Sequence, residues 1–284
     1  MVLAVGDGAG HIADKLSIPT TAPNETMEGI LTYFRKHDIA ALGVGCFGPL
    51  DLNPSSPTYG YITSTPKLKW KNFPLVKTLA DGLHVPVALD TDVNGAALAE
   101  STLGAARGLL SCLYVTVGTG IGGGLMVEGN LVHGLLHPEL GHMLLRPLLN
   151  DPSPEGFCPY HKGCLEGLAC GPAIEKRWGV SARDMAPDHP AWALEANYLA
   201  QMCVNAIVSF SPEKIILGGG VMQQPHLFPL IRKEVLRLLG GYVQHPAVLN
   251  GMEDYIVPPG LQTESGIAGA FLLAKRALLQ RGGV

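Results

Sequence analysis

Apolar residues along the chain fall into short continuous runs and into runs spaced three and four apart, and these alternate. Residues 2–5 form a continuous apolar run, followed by Gly6-Asp7-Gly8-Ala9-Gly10 and then residues 11–18, which predicts a strand hairpin with a glycine-rich turn. Asn24 is placed to cap a helix in which Met27, Ile30, Leu31 and Phe34 repeat at helical spacing. A strand is expected over 39–46, ending at Gly48-Pro49. Residues 48–74 hold Pro49, Pro54, Pro57, Pro66 and Pro74 without a clear period, and a loop that long inside a compact domain is usually functional. Leu75, Val76, Leu79 and Leu83 mark the next helix, 85–89 the next strand, and a small-residue helix runs from about 94 to 107. The second half opens with a strand at 113–117, a glycine turn and a strand at 125–127. A loop rich in Pro, His and Cys follows, from about 137 to 172. A helix over 192–210 sets Trp192, Leu199, Met202, Cys203, Ala206 and Phe210 on one face. A strand at 214–217 runs into Gly218-Gly219-Gly220 and a helix at 227–239. A strand at 255–257 and a helix from about 264 to 280 close the chain. Strands and helices alternating in this way predict an α/β fold of two lobes with a cleft between them.

Composition narrows the class. Of 284 residues, 47% are hydrophobic and 15% charged, which excludes a disordered chain. The formal net charge of −4 leaves no electrostatic footprint for nucleic acid or an anionic membrane. The first ten residues have no basic or apolar leader pattern. Residues 108–127 carry no charge but include six glycines, so a buried hairpin is expected there rather than a membrane helix. Cys46, Cys112 and Cys203 sit in apolar runs, which suggests core packing in a reducing cytoplasm without a disulfide framework.

Four groups of residues carry possible chemistry. Gly118-Thr119-Gly120-Ile121-Gly122-Gly123-Gly124 follows a strand, where glycines let backbone N–H groups close on an anion; a tight hairpin needing positive φ accounts for them equally well. Gly218-Gly219-Gly220 also follows a strand, and two strand-end glycine loops favour a nucleotide more than either alone. Asp90-Thr91-Asp92-Val93-Asn94 joins a strand to a helix. Either Asp92 or Asn94 caps that helix, or a carboxylate stands ready to accept a proton from a bound hydroxyl. His142, Cys158, His161 and Cys164 have the spacing His-x15-Cys-x2-His-x2-Cys, a closed tetrahedral set for a structural zinc. His133, His137 and Cys170 do not fit that spacing and read as bystanders. A zinc anchor would also fix Glu139 and Glu166, whose acceptor oxygens suit a polyhydroxylated ligand such as a sugar.

Together these runs resemble the ROK family of sugar kinases, and most closely its bacterial fructokinase branch. The matching stretches are Gly-Thr-Gly-Ile-Gly-Gly-Gly at 118–124, His-Pro-Glu-Leu-Gly-His at 137–142, Phe-Cys-Pro-Tyr-His-Lys-Gly-Cys-Leu-Glu-Gly-Leu at 157–168 and Leu-Gly-Gly-Gly-Val at 217–221. Tyr-Gly-Tyr-Ile-Thr-Ser-Thr-Pro-Lys at 59–67 is similar as well. The resemblance implies a two-lobed, actin-like (RNase H-like) ATPase fold, usually dimeric, with a small lobe over 1–108 and a larger one over 109–284 whose last helix, 265–280, packs back on the small lobe. It implies Asp92 as catalytic base and Glu139, His142 and Glu166 as sugar contacts. Gly118, Thr119 and Gly120 match its second phosphate loop, and Gly218, Gly219 and Gly220 its adenosine region. His142, Cys158, His161 and Cys164 match its zinc ligands; many relatives have Cys-x-Cys where this chain has Cys158-x2-His161. The activity implied is 6-phosphorylation of fructose by Mg2+-ATP, with no nucleic-acid or membrane partner.

The start of the chain departs from that pattern. The family opens with a strand and an acidic-x-Gly-Gly-Thr-Lys phosphate loop, whereas residues 2–5 here align with the strand that follows it. The expectation is a true start further upstream, with a degenerate sugar-binding protein as the alternative. Mannose or glucose as the substrate is a further alternative, and a ROK-type repressor is disfavoured because nothing in the first 20 residues supplies a helix-turn-helix.

Overall fold

The computed structural model describes residues 1–7 and 10–281. In chain order the elements are β1 (Val2–Gly6), β2 (Ile12–Ser17), α1 (Pro23–Phe34), β3 (Leu42–Cys46), α2 (Leu75–Leu83), β4 (Val87–Thr91) and α3 (Asp92–Thr102). They continue with β5 (Cys112–Val117), β6 (Ile121–Val127), β7 (Asn130–Leu131), α4 (Leu165–Ala169), α5 (Gly171–Trp178) and α6 (Ala191–Phe210). The remainder are β8 (Lys214–Gly218), α7 (Leu227–Leu239), α8 (Pro246–Leu249), α9 (Met252–Tyr255), β9 (Ile256–Val257) and α10 (Ser265–Arg281). Two compact units result. The first comprises residues 1–99, Val132–His137 and the segment from Glu264 onward; the second comprises Glu100–Leu131 and Pro138–Thr263.

In the first unit β1 and β2 form the expected antiparallel hairpin, Val2 opposite Ser17. Gly8 and Ala9 of its glycine-rich turn lie outside the described residues. Parallel β3 and β4 pair from Leu42–Val87 to Cys46–Thr91. Met27, Ile30 and Phe34 of α1 are buried as the spacing predicts, but the helix begins two residues earlier than expected. Pro23 occupies its first turn and Ala22, not Asn24, is at the cap position; proline suits that place because its missing N–H would have had no partner there. The proline-rich stretch is anchored rather than loose. Leu50 and Ile62 are fully buried, Ile62 bridges both Leu50 and Phe73, and Trp70 donates its ring N–H to the Thr21 carbonyl at 2.8 Å. Helix α10 lies directly on β3 and α3: a side chain at Gly43 would strike the backbone of Ala270, and one at Gly269 that of Gly95.

The second unit is built on a five-stranded sheet in the order β7-β6-β5-β8-β9, with β5, β8 and β9 parallel and β6 antiparallel to both of its neighbours, β5 and β7. The uncharged stretch 108–127 contains the β5–β6 hairpin, and among the described residues no helix is long and apolar enough to cross a membrane. Trp192, Leu199, Met202, Cys203 and Ala206 of α6 are buried. Phe210 is not: it is 42% exposed, because the helix ends there and Ser211 turns out of it with φ 48°. Helix α5 starts at Gly171, just inside the loop expected to run to about 172, with Pro172 in its first turn and Gly179 closing it in the left-handed region at φ 70°. Buried Glu100 accepts backbone N–H bonds from Ala105, Gly260 and Leu261 at 2.7–3.0 Å, tying distant loops of this unit to one carboxylate.

Candidate functional site

In the first unit, β4 runs straight into α3, and Asp92 is the first residue of that helix. The cap is neither Asp92 nor Asn94. Thr91 Oγ1 accepts the Asn94 backbone N–H at 3.1 Å, which is the capping bond, because Thr91 is the last residue with extended backbone. Asp92 is thereby left to other work. It is solvent-accessible, and its carboxylate accepts the N–H of adjacent Val93 at 2.9 Å. Protein packed around the carboxyl desolvates it and raises its pKa above the ordinary aspartate value; the Val93 and Asp92 N–H groups and the Lys67 ammonium pull the other way. Lys67 was not foreseen. Its ammonium rests 3.7 Å above the centre of the Phe47 ring, and Phe47 directly follows the β3 strand that pairs with β4.

In the second unit, β5 and β8 are parallel, with Thr116 opposite Gly218, so both glycine turns leave the same end of the sheet. The first turn closes by the Gly118 N–H to Gly120 carbonyl bond at 2.9 Å, and none of Gly118, Thr119 and Gly120 has positive φ. The hairpin is present, but positive φ is not why its glycines are there. What excludes a side chain is crowding: one at Gly120 would lie 2.6 Å from a Glu166 oxygen, and one at Gly123 would press on Leu140. Gly219 does need its freedom, with φ +94° and the Val117 backbone where a side chain would be. Gly220 faces open space, and Thr119 is exposed.

The four His and Cys side chains meet. Their ligating atoms all lie within 4.8 Å of one another. His142 Nδ1 is 3.9 Å from both Cys158 Sγ and Cys164 Sγ, and His161 Nδ1 is 3.7 Å from Cys158 Sγ. A tetrahedral zinc with bonds of about 2.0–2.3 Å sets ligand atoms roughly 3.5 Å apart, so this donor set fits such an ion. Burial pushes the Cys164 thiol up to about 11, a displacement that a bound dication reverses. Burial likewise pushes Cys112 and Cys203 up to about 12, with Glu100 and Glu213 adding to the rise at Cys112, which keeps both protonated in the core.

Cys164 also caps α4, accepting the Gly167 N–H on sulfur at 3.4 Å, and so fixes the helix that carries Glu166. One Glu166 oxygen accepts the Ile121 N–H at 2.8 Å. From the other direction Gly141 packs so tightly on the Ile121 carbonyl that no side chain fits there. The turn Leu140–His142, with Glu139 exposed at its head, is therefore held against the same residue that anchors Glu166. Under this assembly lies a buried network that the sequence did not signal. Arg177 Nε is 2.8 Å from Asp151, Tyr198 donates to Asp151 at 2.6 Å, and Arg177 Nη1 donates to the Leu168 carbonyl in α4 at 2.7 Å. The residues read as bystanders stay out of the Cys/His cluster: His137 accepts the Leu50 N–H at 3.0 Å, His133 lies 3.0 Å from Asp90, and Cys170 is buried just before α5.

Residues 1–277 match the model of the ROK family. A putative fructokinase of Bacillus subtilis is 47% identical over 277 residues, covering 98% of this chain and 92% of the relative. A fructokinase of Pediococcus pentosaceus is also 47% identical, covering 98% and 94%. Among solved structures, the ROK hexokinase of Thermus thermophilus superposes with a TM-score of 0.77 at 29% identity, covering 98% of this chain and 95% of that one. The α/β fold described above is thus that of ROK kinases, the actin-like ATPase fold.

Proposed function

The chain belongs to the ROK family, and on that premise we propose that it is an ATP-dependent fructokinase. The observation that carries this reading is the 47% identity to fructokinases across nearly the whole of both chains. ATP enters as its magnesium complex. The sugar's 6-oxygen attacks the γ-phosphorus and forms a new P–O bond while the bond to the β,γ-bridging oxygen breaks; ADP leaves and the hydroxyl proton passes to the Asp92 carboxylate. Such a transfer depends mainly on positioning and on electrostatic stabilisation. The accessibility of Asp92 and its freedom from capping support its role as the proton acceptor.

Glu139, His142 and Glu166 are assigned to the sugar hydroxyls. The Nδ1 edge of His142 faces the two sulfurs, which leaves Nε2 as the nitrogen to hydrogen-bond a hydroxyl. Gly118, Thr119 and Gly120 are assigned to the phosphates, and Gly218, Gly219 and Gly220 to the nucleoside side. The two turns leave the same sheet end, where backbone N–H groups suit an anionic ligand. His142, Cys158, His161 and Cys164 would hold a structural zinc, which when bound cross-links the loop and keeps Glu166 in place.

The test is Asp92→Asn assayed by ADP release. Turnover should fall by about 10²-fold or more while fructose binding persists, and retained turnover sinks the assignment. Running the same assay over fructose, mannose and glucose checks the sugar; a higher kcat/KM for either aldose overturns fructose as the substrate.

A further inference from the structure

Asp92 has little of its own to hold it: its carboxylate bonds to the neighbouring Val93 N–H. Its direction is therefore inherited from the backbone at the β4–α3 junction. That junction is braced on both sides. Asp90, 4% exposed, accepts the Thr91 N–H at 2.8 Å and the Asn94 side-chain amide at 2.7 Å on one oxygen. Thr91 accepts the Asn94 N–H in turn. The second Asp90 oxygen lies 3.0 Å from His133 Nε2. Carboxylate oxygens accept, so in this contact Nε2 is the donor; the Asn94 side-chain nitrogen lies 3.4 Å from the same ring nitrogen. Asn94 is 1% exposed, and its Oδ1 has no partner among the described residues, a loss incurred by aiming its NH2 group at Asp90. His133 itself stands on the segment Val132–His137, whose far end is pinned by the buried bond from the Leu50 N–H to His137.

We infer that His133 is a positioning residue: by donating to buried Asp90 it locks the strand-to-helix junction on which Asp92 stands. Its side chain is 38% exposed while that of Asp90 is only 6% exposed, so the ring stands between Asp90 and solvent as well as bonding to it. A displacement of about 1 Å at a reacting group lowers rate by around 10²-fold, far out of proportion to its effect on binding. The inference rests on Asp92 as the proton acceptor.

The test is a double-mutant cycle on kcat, with thermal midpoints measured alongside. Asp90→Asn and His133→Ala should each lower kcat about tenfold or more while the fructose KM stays within about twofold. The double variant should be no slower than the worse single one. His133→Gln, which keeps an N–H donor, should recover most of the loss. Wild-type kcat in the folded single variants, or losses that multiply in the double variant, overturn the inference. If His133→Ala does not fold, the cycle is run with His133→Gln: it must lose less than Asp90→Asn and add nothing to it, and multiplied losses or no loss at all overturn the inference. Asp92→Asn run in parallel separates the two claims. If that variant turns over normally, the assignment of Asp92 fails; if it is inactive while the cycle shows no loss, only the role of His133 fails.

Discussion

At the scale of single residues, desolvation sets two contrasting carboxyls. As the proposed proton acceptor Asp92 must be ionised, and its pKa is raised, so on that proposal activity should be lost as pH falls through a value above the ordinary 3.8. The acid limb of the kcat–pH profile should therefore lie above that value. Lys67→Met removes a cation that favours the ionised form, so it should move the limb to still higher pH; an unmoved limb would mean another group controls it. Glu195 in α6 is fully surrounded, one oxygen has no hydrogen-bond partner among the described residues, and burial outweighs the nearby Arg177, so its pKa is raised well above 4.5. Its folded-state pKa exceeds its unfolded one, so stability is full below 4.5 and declines as pH rises towards the folded value. Glu195→Gln removes that penalty. It should raise the thermal midpoint near pH 7 by at least about 2 °C, the shift that ~1 kcal/mol produces in a domain of this size. At pH 4 the gain should vanish.

At the scale of elements, α4 joins the Cys/His cluster to the carboxylate proposed to bind the sugar, since Cys164 caps the helix that carries Glu166. Cys164→Ser should abolish stoichiometric zinc, lower the midpoint by several degrees and raise the fructose KM, measured by metal analysis, calorimetry and kinetics. A normal KM in the metal-free protein would break the link between them. Arg177→Met should destabilise by about 3–5 kcal/mol by stranding buried Asp151, read from denaturant unfolding. The same elements show what periodicity makes legible. Helix α7 has the spacing of one buried face, the β5–β6 hairpin is a nearly continuous apolar run buried on both faces, and the Cys/His spacing announces a cluster. Helix α5 escaped because Gly171-Pro172 reads as loop punctuation while serving as a helix start. The cap at Thr91 escaped because Thr, Asp and Asn all cap well, and only backbone geometry chooses among them. The Asp90–His133 and Asp151–Arg177 pairs join residues 43 and 26 positions apart, and no local pattern encodes a partner at that distance.

At the scale of the whole molecule, neither compact unit is a single stretch of chain. The first is assembled from residues 1–99, the segment Val132–His137 and the C-terminal helix. Its glycine contacts allow no substitution of size. Gly43→Val should cost about 1–3 kcal/mol or more, because the Ala270 backbone occupies the space the new side chain requires. A Gly43→Val protein with an unchanged unfolding midpoint would show that α10 does not bear on β3.

The place of α10 also orders events in time. Strands β3 and β4 leave the ribosome before the second unit is made, but the helix that lies across β3 follows only after it. The second unit has all of its chain once residue 263 is synthesised, whereas the first must wait for 265–281. During synthesis, then, the unit whose strands are made first completes its fold after the other has its whole chain. For that interval its apolar strand faces are a natural substrate for chaperones.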